Sequence, residues 1–299
     1  MNFYCLCMSP AIDATVRLPH PPGGKGEIFK DIIDVENVGG KGLNVARYLA
    51  LRRAEVACGG LLGEDNAGLF VREMRKFGIG DGFVRVPGST RRNEMLTWDG
   101  GAVKLNRSAF PGLDAARLPV AAEFCRPAAA DAVAVLSGSL PPCWGKNFYA
   151  ECVRLLKRRG CTVVLDASGE AMRLGIEAHP DVIKPNADEC ADLVGFIPHT
   201  PEEFRRATAM LREKVAYPII SDGGAGCWFN GEFIAAPQVE VTDTTAAGDT
   251  LLAEFCYRRF AEKNPQAGRW AVAAGSAACT MPGGEPPSPE LVEALFQRL

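Results

Sequence analysis

Short apolar runs rich in β-branched residues recur along the chain, and between them apolar positions fall three and four residues apart. Phe3–Met8, Val133–Ser137, Thr162–Asp166, Val182–Lys184 and Pro218–Ser221 are continuously apolar rather than alternating, which predicts strands buried on both faces. Asn44–Arg53, Ala67–Phe77, Lys146–Arg159 and Glu202–Lys214 place apolar side chains at i, i+3, i+4 and i+7 and so predict amphipathic helices. Strands alternating with helices imply an α/β fold with a mostly parallel sheet and helices on both faces. Towards the C-terminus the order changes. Cys227–Phe229 and Glu232–Ala235 flank Asn230-Gly231, a favoured two-residue hairpin turn. Helices over Asp249–Glu262, Gly268–Thr280 and Pro289–Gln297 are expected to close the chain.

Residues 12–37 and 84–109 break the rhythm, since both carry strand alternation and turn signals without a helix. Within the second, Arg92–Thr97 and Ala102–Leu105 flank Asp99-Gly100-Gly101 and predict another hairpin. Two β-only insertions into one α/β body can pair with each other, and such a lid typically covers a ligand at the carboxyl ends of the strands. The expected organisation is a body of residues 1–11, 38–83 and 110–299 carrying a discontinuous β lid of residues 12–37 and 84–109.

Charge and composition add exclusions. Lys and Arg number 33 against 36 Asp and Glu, so no field of positive charge is available to hold a nucleic acid. No apolar run reaches the roughly 18 residues of a membrane span, and the first residues lack the pattern of a signal peptide. The expectation is a cytoplasmic protein that binds neither nucleic acid nor membrane. The 11 cysteines are scattered singly apart from Cys5 and Cys7, and His20, His179 and His199 are not spaced as ligands, so neither a disulfide framework nor a zinc site is expected.

Three segments combine residues that suit chemistry. In Val38–Ala46, glycines at 39, 40 and 42 permit close backbone approach, and Lys41 stands at a helix N-terminus. A cation there costs about 0.3–1 kcal/mol unless an anion is bound between the lysine and the free N–H groups. The segment reads as an anion site or as a glycine-rich turn with a solvated lysine; it is not a phosphate loop of the G-x-x-x-x-G-K-[ST] kind, because Leu43 follows Gly42. In Thr242–Thr250, the small residues 246–248 leave N–H groups open for phosphoryl oxygens, and Asp249 could take the proton of an attacking hydroxyl. An ordinary helix start also favours an early Asp and small packed residues. In Ile183–Glu189, Asn186 and Glu189 form either a capping box or outer-sphere partners of a magnesium ion on a nucleotide. Ser137–Pro142 and Ser221–Gly226 each follow an apolar strand, on the sheet edge where open α/β folds bind ligands.

Taken together and in this order, these segments resemble the ribokinase-like, phosphofructokinase-B family of carbohydrate kinases. Its signatures G-G-K-G-x-N-x-A and D-T-x-G-A-G-D correspond to residues 39–46 and 243–249. The likeness is nearest to the 1-phosphofructokinases and tagatose-6-phosphate kinases, through Ser9–Asp13, Thr90–Asn93, Ser137–Pro142, Asp166–Glu170 and Ile183–Glu189. The resemblance implies a ribokinase-like three-layer α/β/α sandwich with a small β-sheet lid, ATP with Mg2+ as donor, and a ketohexose phosphate such as fructose 1-phosphate or tagatose 6-phosphate as acceptor, giving a bisphosphate. It implies Asp249 as base, with Ala246, Ala247 and Gly248 as anion hole. Asp13, Gly39, Gly40 and Asn44 would hold sugar hydroxyls, with Lys41, Arg91 and Ser139 also on the substrate side. Lys184, Asn186, Ser221, Gly223 and Gly226 would bind the nucleotide, Asn186 and Glu189 reaching magnesium through water. The lid would exclude water on closing and offers a face for a homodimer.

Several residues depart from the family pattern. Ala246 stands where the family has glycine, and strains the nest if that position needs a positive φ. Asp222 replaces an apolar residue, and Arg92 and Arg107 add charge to the lid. The alternatives are a kinase of an unphosphorylated sugar or nucleoside, which would leave Lys41 and Arg91 without a purpose, and a non-catalytic sugar-phosphate-binding pseudokinase.

Overall fold

The computed structural model describes residues 1–30, 32–108, 110 and 119–299. Its large sheet has nine strands: β1 (Asn2–Cys7), β4 (Glu55–Gly63), β5 (Gly80–Val86), β8 (Val133–Ser137), β9 (Thr162–Asp166), β10 (Val182–Ile183), β11 (Tyr217–Asp222), β12 (Gly226–Phe229) and β13 (Glu232–Ala235). They lie in the order β13-β12-β11-β10-β9-β8-β1-β4-β5. Pairing is parallel from β5 to β11, and the β12–β13 hairpin adds an antiparallel edge. The continuously apolar strands explain the three layers. Phe3, Cys5 and Cys7 enter one core while Tyr4, Leu6 and Met8 enter the other, and Val135 and Leu136 divide the same way.

The first core is closed by α1 (Lys41–Leu51), α2 (Ala67–Phe77), α8 (Ala247–Cys256), α9 (Ala267–Ala278) and α10 (Pro289–Phe296). The second is closed by α3 (Ala121–Cys125), α4 (Phe148–Arg158), α5 (Gly169–Ile176), α6 (Cys190–Val194) and α7 (Pro201–Arg212). All 11 cysteines are free thiols, and only Cys143 and Cys279 are not buried. Among the described residues no helix is long and apolar enough to cross a membrane.

A second sheet of four strands stands apart, in the order β3 (Ile33–Gly39), β2 (Ala11–Arg17), β6 (Arg92–Trp98) and β7 (Gly101–Leu105). Its centre is a parallel β2–β6 pair, with Asp13 opposite Asn93 on one side and opposite Asn37 of β3 on the other. Opposed residues share a face, so these polar groups all project to one side.

Some boundaries differ from the sequence reading. Strands β4 and β5 were not foreseen, because Gly59, Gly60, Gly63, Gly80 and Gly82 interrupt their apolar pattern. Val84–Val86, expected in the lid, pair with Leu61–Gly63 at the edge of the large sheet. Helix α1 begins at Lys41 rather than Asn44, and Lys184 lies just past β10. The α-helical bonding of α8 stops at Cys256, and Tyr257–Ala261 continue as a wider π turn.

Candidate active site

Two cavities open at the carboxyl ends of the large sheet, the first of them facing the small sheet. The first, of about 580 Å3, is lined by Asp13, Asn93 and Lys104 of the small sheet and by Lys41 and Asn44 of α1, together with Arg91, Ser139 and Asp249. The second, of about 420 Å3, has walls of Val239, Val241, Leu251 and Val272, with Gly223, Gly224 and Gly226 on one side. Thr244 and Gly248, at the start of α8, line both. Any reaction joining the contents of the two cavities therefore takes place at that helix N-terminus.

The first turn of α8 starts from Ala246 at φ 62°, the left-handed conformation. An L-residue pays roughly 1–2 kcal/mol for it. Among the described helices only α7 and α10 have a side-chain cap, from Thr200 and Ser288; α8 and α1, whose N-cap is Gly40, are two of the uncapped ones, and both line the first cavity. First-turn N–H groups have no acceptor within an α-helix, so these two uncapped ends present donors to a ligand. The Lys184 ammonium lies against this turn, since a Cβ on Gly248 would be in ordinary contact with Lys184 Nζ at 3.4 Å.

Asp249 is buried beside these donors. Burial, with Asp166 adding to it, pushes its carboxyl up from 3.8 to about 6, while Lys41, a hydrogen bond from Asn44 and Lys184 pull the other way. Asn44 Nδ2 donates to Asp249 Oδ2 at 2.8 Å. A carboxylate tuned near neutrality in a cavity wall suits a general base. Asp166, only 1 % exposed, sits between Lys41 Nζ at 3.2 Å and Lys184 Nζ at 3.4 Å. Burial lowers the Lys41 ammonium, yet Asp166, Asp249 and Glu189 outweigh it and leave its pKa raised.

On the small sheet, Asn93 Nδ2 donates to Asp13 Oδ1 at 2.8 Å, which fixes Asp13 towards the first cavity. Gly39 does not line that cavity. A Cβ there would come within 2.6 Å of Asp13 Oδ2, so the bare Gly39 makes room for Asp13. Gly40 does line it, at φ 125°, packed on Cys7 and Pro10 where a Cβ has no room. The Arg91 guanidinium is spread over the carbonyls of Ser9, Pro10 and Arg107 at 3.1–3.3 Å. Arg92 pairs with Glu36 and Glu94, and Arg107 with Glu94, so both added arginines are engaged along the sheet surface.

Of the residues expected on the nucleotide side, Asn186, Ser221, Gly223 and Gly226 line the second cavity together with Ala247. Asn186 and Glu189 exchange backbone-to-side-chain bonds of 2.9 and 2.8 Å, the capping-box pattern, formed in the turn ahead of α6. Because Glu189 lines the first cavity and Asn186 the second, the pair straddles their boundary. Asp222 lies outside the lining of the second cavity. Sequence reasoning assigned no site role to Asn93, Lys104, Asn106, Thr244, Thr245 or Asp166. The available signals were a carboxylate ending the apolar run Thr162–Asp166, and the alternation of β7, which puts Lys104 opposite Met95 and so on the face of Asn93.

The chain matches the family model of pfkB family carbohydrate kinases over residues 31–291. A 1-phosphofructokinase of Vibrio cholerae is 34 % identical over 227 residues, 73 % of this chain and 71 % of that protein. Another, of Rhodobacter capsulatus, is 33 % identical over 266 residues, 82 % of this chain and 80 % of that one. Among solved structures, the phosphofructokinase-2 of Escherichia coli in complex with substrates and products has a TM-score of 0.87 at 23 % identity, with 100 % of this chain and 99 % of that one covered. Ribokinase from Thermotoga maritima has a TM-score of 0.76 at 22 % identity, covering 99 % of each chain, and these two likenesses establish the ribokinase-like fold. Since the family model runs unbroken through α1, the strand exits and α8, the chain belongs to the pfkB family of carbohydrate kinases and is a phosphotransferase with ATP as donor and an alcohol group as acceptor.

Proposed function

We propose that this kinase phosphorylates a ketohexose phosphate of the fructose 1-phosphate type to a bisphosphate, with Asp249 as general base. The observation that carries the reading is the place of Asp249: it faces the cavity lined by Lys41, Arg91 and Lys104, one residue from the Gly248 shared with the second cavity. Three cations beside the carboxylates Asp13, Glu189 and Asp249 of the same cavity fit an acceptor that carries both hydroxyls and a phosphate better than a neutral sugar or nucleoside. Identity of 30–35 % to several 1-phosphofructokinases supports the same acceptor class.

In this reading Asp13, Asn44 and Asn93 orient the sugar hydroxyls. Asp249 takes the proton of the reacting hydroxyl as its oxygen bonds to the γ-phosphorus, and the bond from that phosphorus to the β-phosphate oxygen breaks to release ADP. The first-turn N–H groups of α8 and the Lys184 ammonium stabilise charge on the transferring oxygens. The oxygens of Asn186 and Glu189, set at the boundary of the two cavities, suit a magnesium ion held through water. Magnesium on the nucleotide supplies neutralisation of phosphate charge. Ala246 already holds the left-handed turn the nest requires, which supports an active enzyme over a pseudokinase.

The small sheet acts as a lid over the acceptor, and its exposed Val103 and Leu105, on the face away from Asp13 and Asn93, offer apolar surface for a second copy. Size measurement by light scattering is expected to give a dimer; a monomer at tens of micromolar overturns that part. The free thiols suit a reducing cytoplasm. The main reading is tested by ADP release from MgATP with fructose 1-phosphate, tagatose 6-phosphate, fructose 6-phosphate, fructose and ribose. Turnover confined to a phosphorylated ketohexose is expected, and turnover on a free sugar sinks the assignment of the cations.

A further inference from the structure

We infer that Arg47 is a positioning residue: it sets the orientation of the Asn44 amide against Asp249 and holds the 283–284 turn behind the start of α8. The inference rests on the reading of Asp249 as base. Arg47 lies one helical turn after Asn44, only 5 % exposed. Its Nη2 donates to Asn44 Oδ1 at 3.2 Å and to the Gly284 carbonyl at 2.9 Å, and its Nη1 pairs with Glu73 of α2 at 3.1 Å. A guanidinium has only donors, so the Asn44 atom facing it must be the oxygen. The amide nitrogen is thereby turned to Asp249, where it donates at 2.8 Å. Turned over, the amide would aim its oxygen at the carboxylate and repel it.

The second contact reaches the nest. Gly284 packs on Thr245 and Ala246, a Cβ there falling 3.1 Å from Thr245 Cγ2 and 3.5 Å from Ala246 Cβ. The neighbouring Gly283 N–H donates to Asp243 Oδ2 at 3.2 Å, and Asp243 Oδ1 accepts from Thr245 N–H at 2.9 Å. One Arg47 nitrogen thus ties the residue that touches the base to the turn that backs the phosphoryl site. Stability alone does not explain it. A buried cation is costly, its Nε has no hydrogen-bond partner among the described residues, and apolar side chains in place of the whole Arg47–Glu73 pair are often neutral or better for folding.

Arg47→Met is the test, because it keeps the volume and removes the donors. The charged groups facing Asp249 are Lys41 from α1, Asp166 from β9 and Lys184 past β10, with the Cys7 thiol at the end of β1, and the variant leaves all four in place. Loss of the Asn44 hydrogen bond favours the protonated acid. The acid limb of the kcat profile should move up by about half to one pH unit. The same variant should lose about ten- to a hundredfold in kcat, with the acceptor KM changed by less than about threefold. Its melting temperature should fall, because Glu73 and the Gly284 carbonyl lose their donor, so the acid limb is the deciding readout. Added guanidinium ion should restore part of the rate. A loss of melting temperature with an unmoved acid limb marks a merely structural residue and overturns the inference, as does an unchanged kcat. Should Arg47→Met not fold, Glu73→Gln loosens the tether and must shift the limb in the same direction by less; no shift overturns. Asp249→Asn run alongside separates the two claims. Turnover retained there removes the base and this inference with it, whereas turnover lost there beside an unmoved limb in Arg47→Met overturns the inference alone.

Discussion

The two cavities that meet at α8 recognise their contents by opposite physics. The acceptor cavity is walled by Asp13, Lys41, Asn44, Arg91, Asn93 and Lys104, groups that demand particular partners at particular angles. The cavity proposed for the nucleotide is walled mainly by valines, a leucine and glycines, which reward shape and area, with Asn186, Ser221, Gln238 and Ser276 among its polar points. A site built on hydrogen bonds rejects a wrong ligand by leaving its own polar groups unpaired, whereas an apolar slot tolerates a poor fit. Selectivity for the sugar should therefore be sharp and selectivity for the purine base loose. Replacing ATP by another purine triphosphate should cost about tenfold in kcat/KM, against about a thousandfold or more for removing the acceptor's phosphate. Equal discrimination on both sides would break the contrast.

The largest effect is expected at the boundary itself. Asp249→Asn should lower kcat by about 10²–10⁴-fold while calorimetry still finds the sugar phosphate bound. In the parent enzyme turnover should fall as pH drops through about 6, where Asp249 takes up its proton. Because the folded pKa lies above the ordinary 3.8, the contribution of Asp249 to stability is present in full below that value and is lost as pH rises through about 6. The Asn variant should accordingly melt higher than the parent at pH 8 by an amount of order 3 kcal/mol, a gap that closes towards pH 4. A lower melting temperature at pH 8 would contradict the burial argument.

Next in size is Lys184→Met, which removes a charge from the phosphoryl site and should cost about 10²–10³ in kcat with acceptor affinity unchanged. Two milder variants then set the cavities against each other. Lys104→Ala should raise the acceptor KM about tenfold and flatten its dependence on salt. Val272→Ala should raise the ATP KM about threefold with no salt dependence. The smallest change is Ala246→Gly, which relieves the left-handed strain and should stabilise the protein by about 1 kcal/mol or less in a urea melt, leaving kcat equal or higher. Destabilisation there would mean that the Ala246 methyl packs usefully.

How far the sequence showed this arrangement depended on the range of the signal. Strands β8, β9 and β11 and helices α2, α4 and α7 were legible because burial on both faces, or on one helical stripe, leaves a local pattern. Strands β4 and β5 were not, because glycines that let backbones approach erase that pattern. Gly60, for example, sits at φ 136° against the Cys7 carbonyl. The Gly-Gly-Lys-Gly turn and the residues from Asp243 to Asp249 stood out as local clusters. Asp166 did not, since its meaning comes from two lysines brought to it by different strand exits. Gly39 stood out as part of a motif, and the fold shows that it leaves space for Asp13. Arg47 reads as one polar residue on a helix, and only the fold shows that it touches the partner of the base.

The helices α1 and α8 pack into the same core, on one face of the large sheet, whereas Asp13, Asn93 and Lys104 stand on β2, β6 and β7 of the small sheet, which joins that core through Ile12 and Val38. On the proposed reading, the parts that perform phosphoryl transfer thus stand on different elements from most of the parts that select the sugar. Substitutions on the small sheet can retune which acceptor is held without disturbing the alignment of Asn44 and Asp249. For a lineage of such enzymes, acceptor choice is inexpensive to change and the chemistry is hard to lose by the same steps. For protein engineering, β2, β6 and β7 are the place to begin.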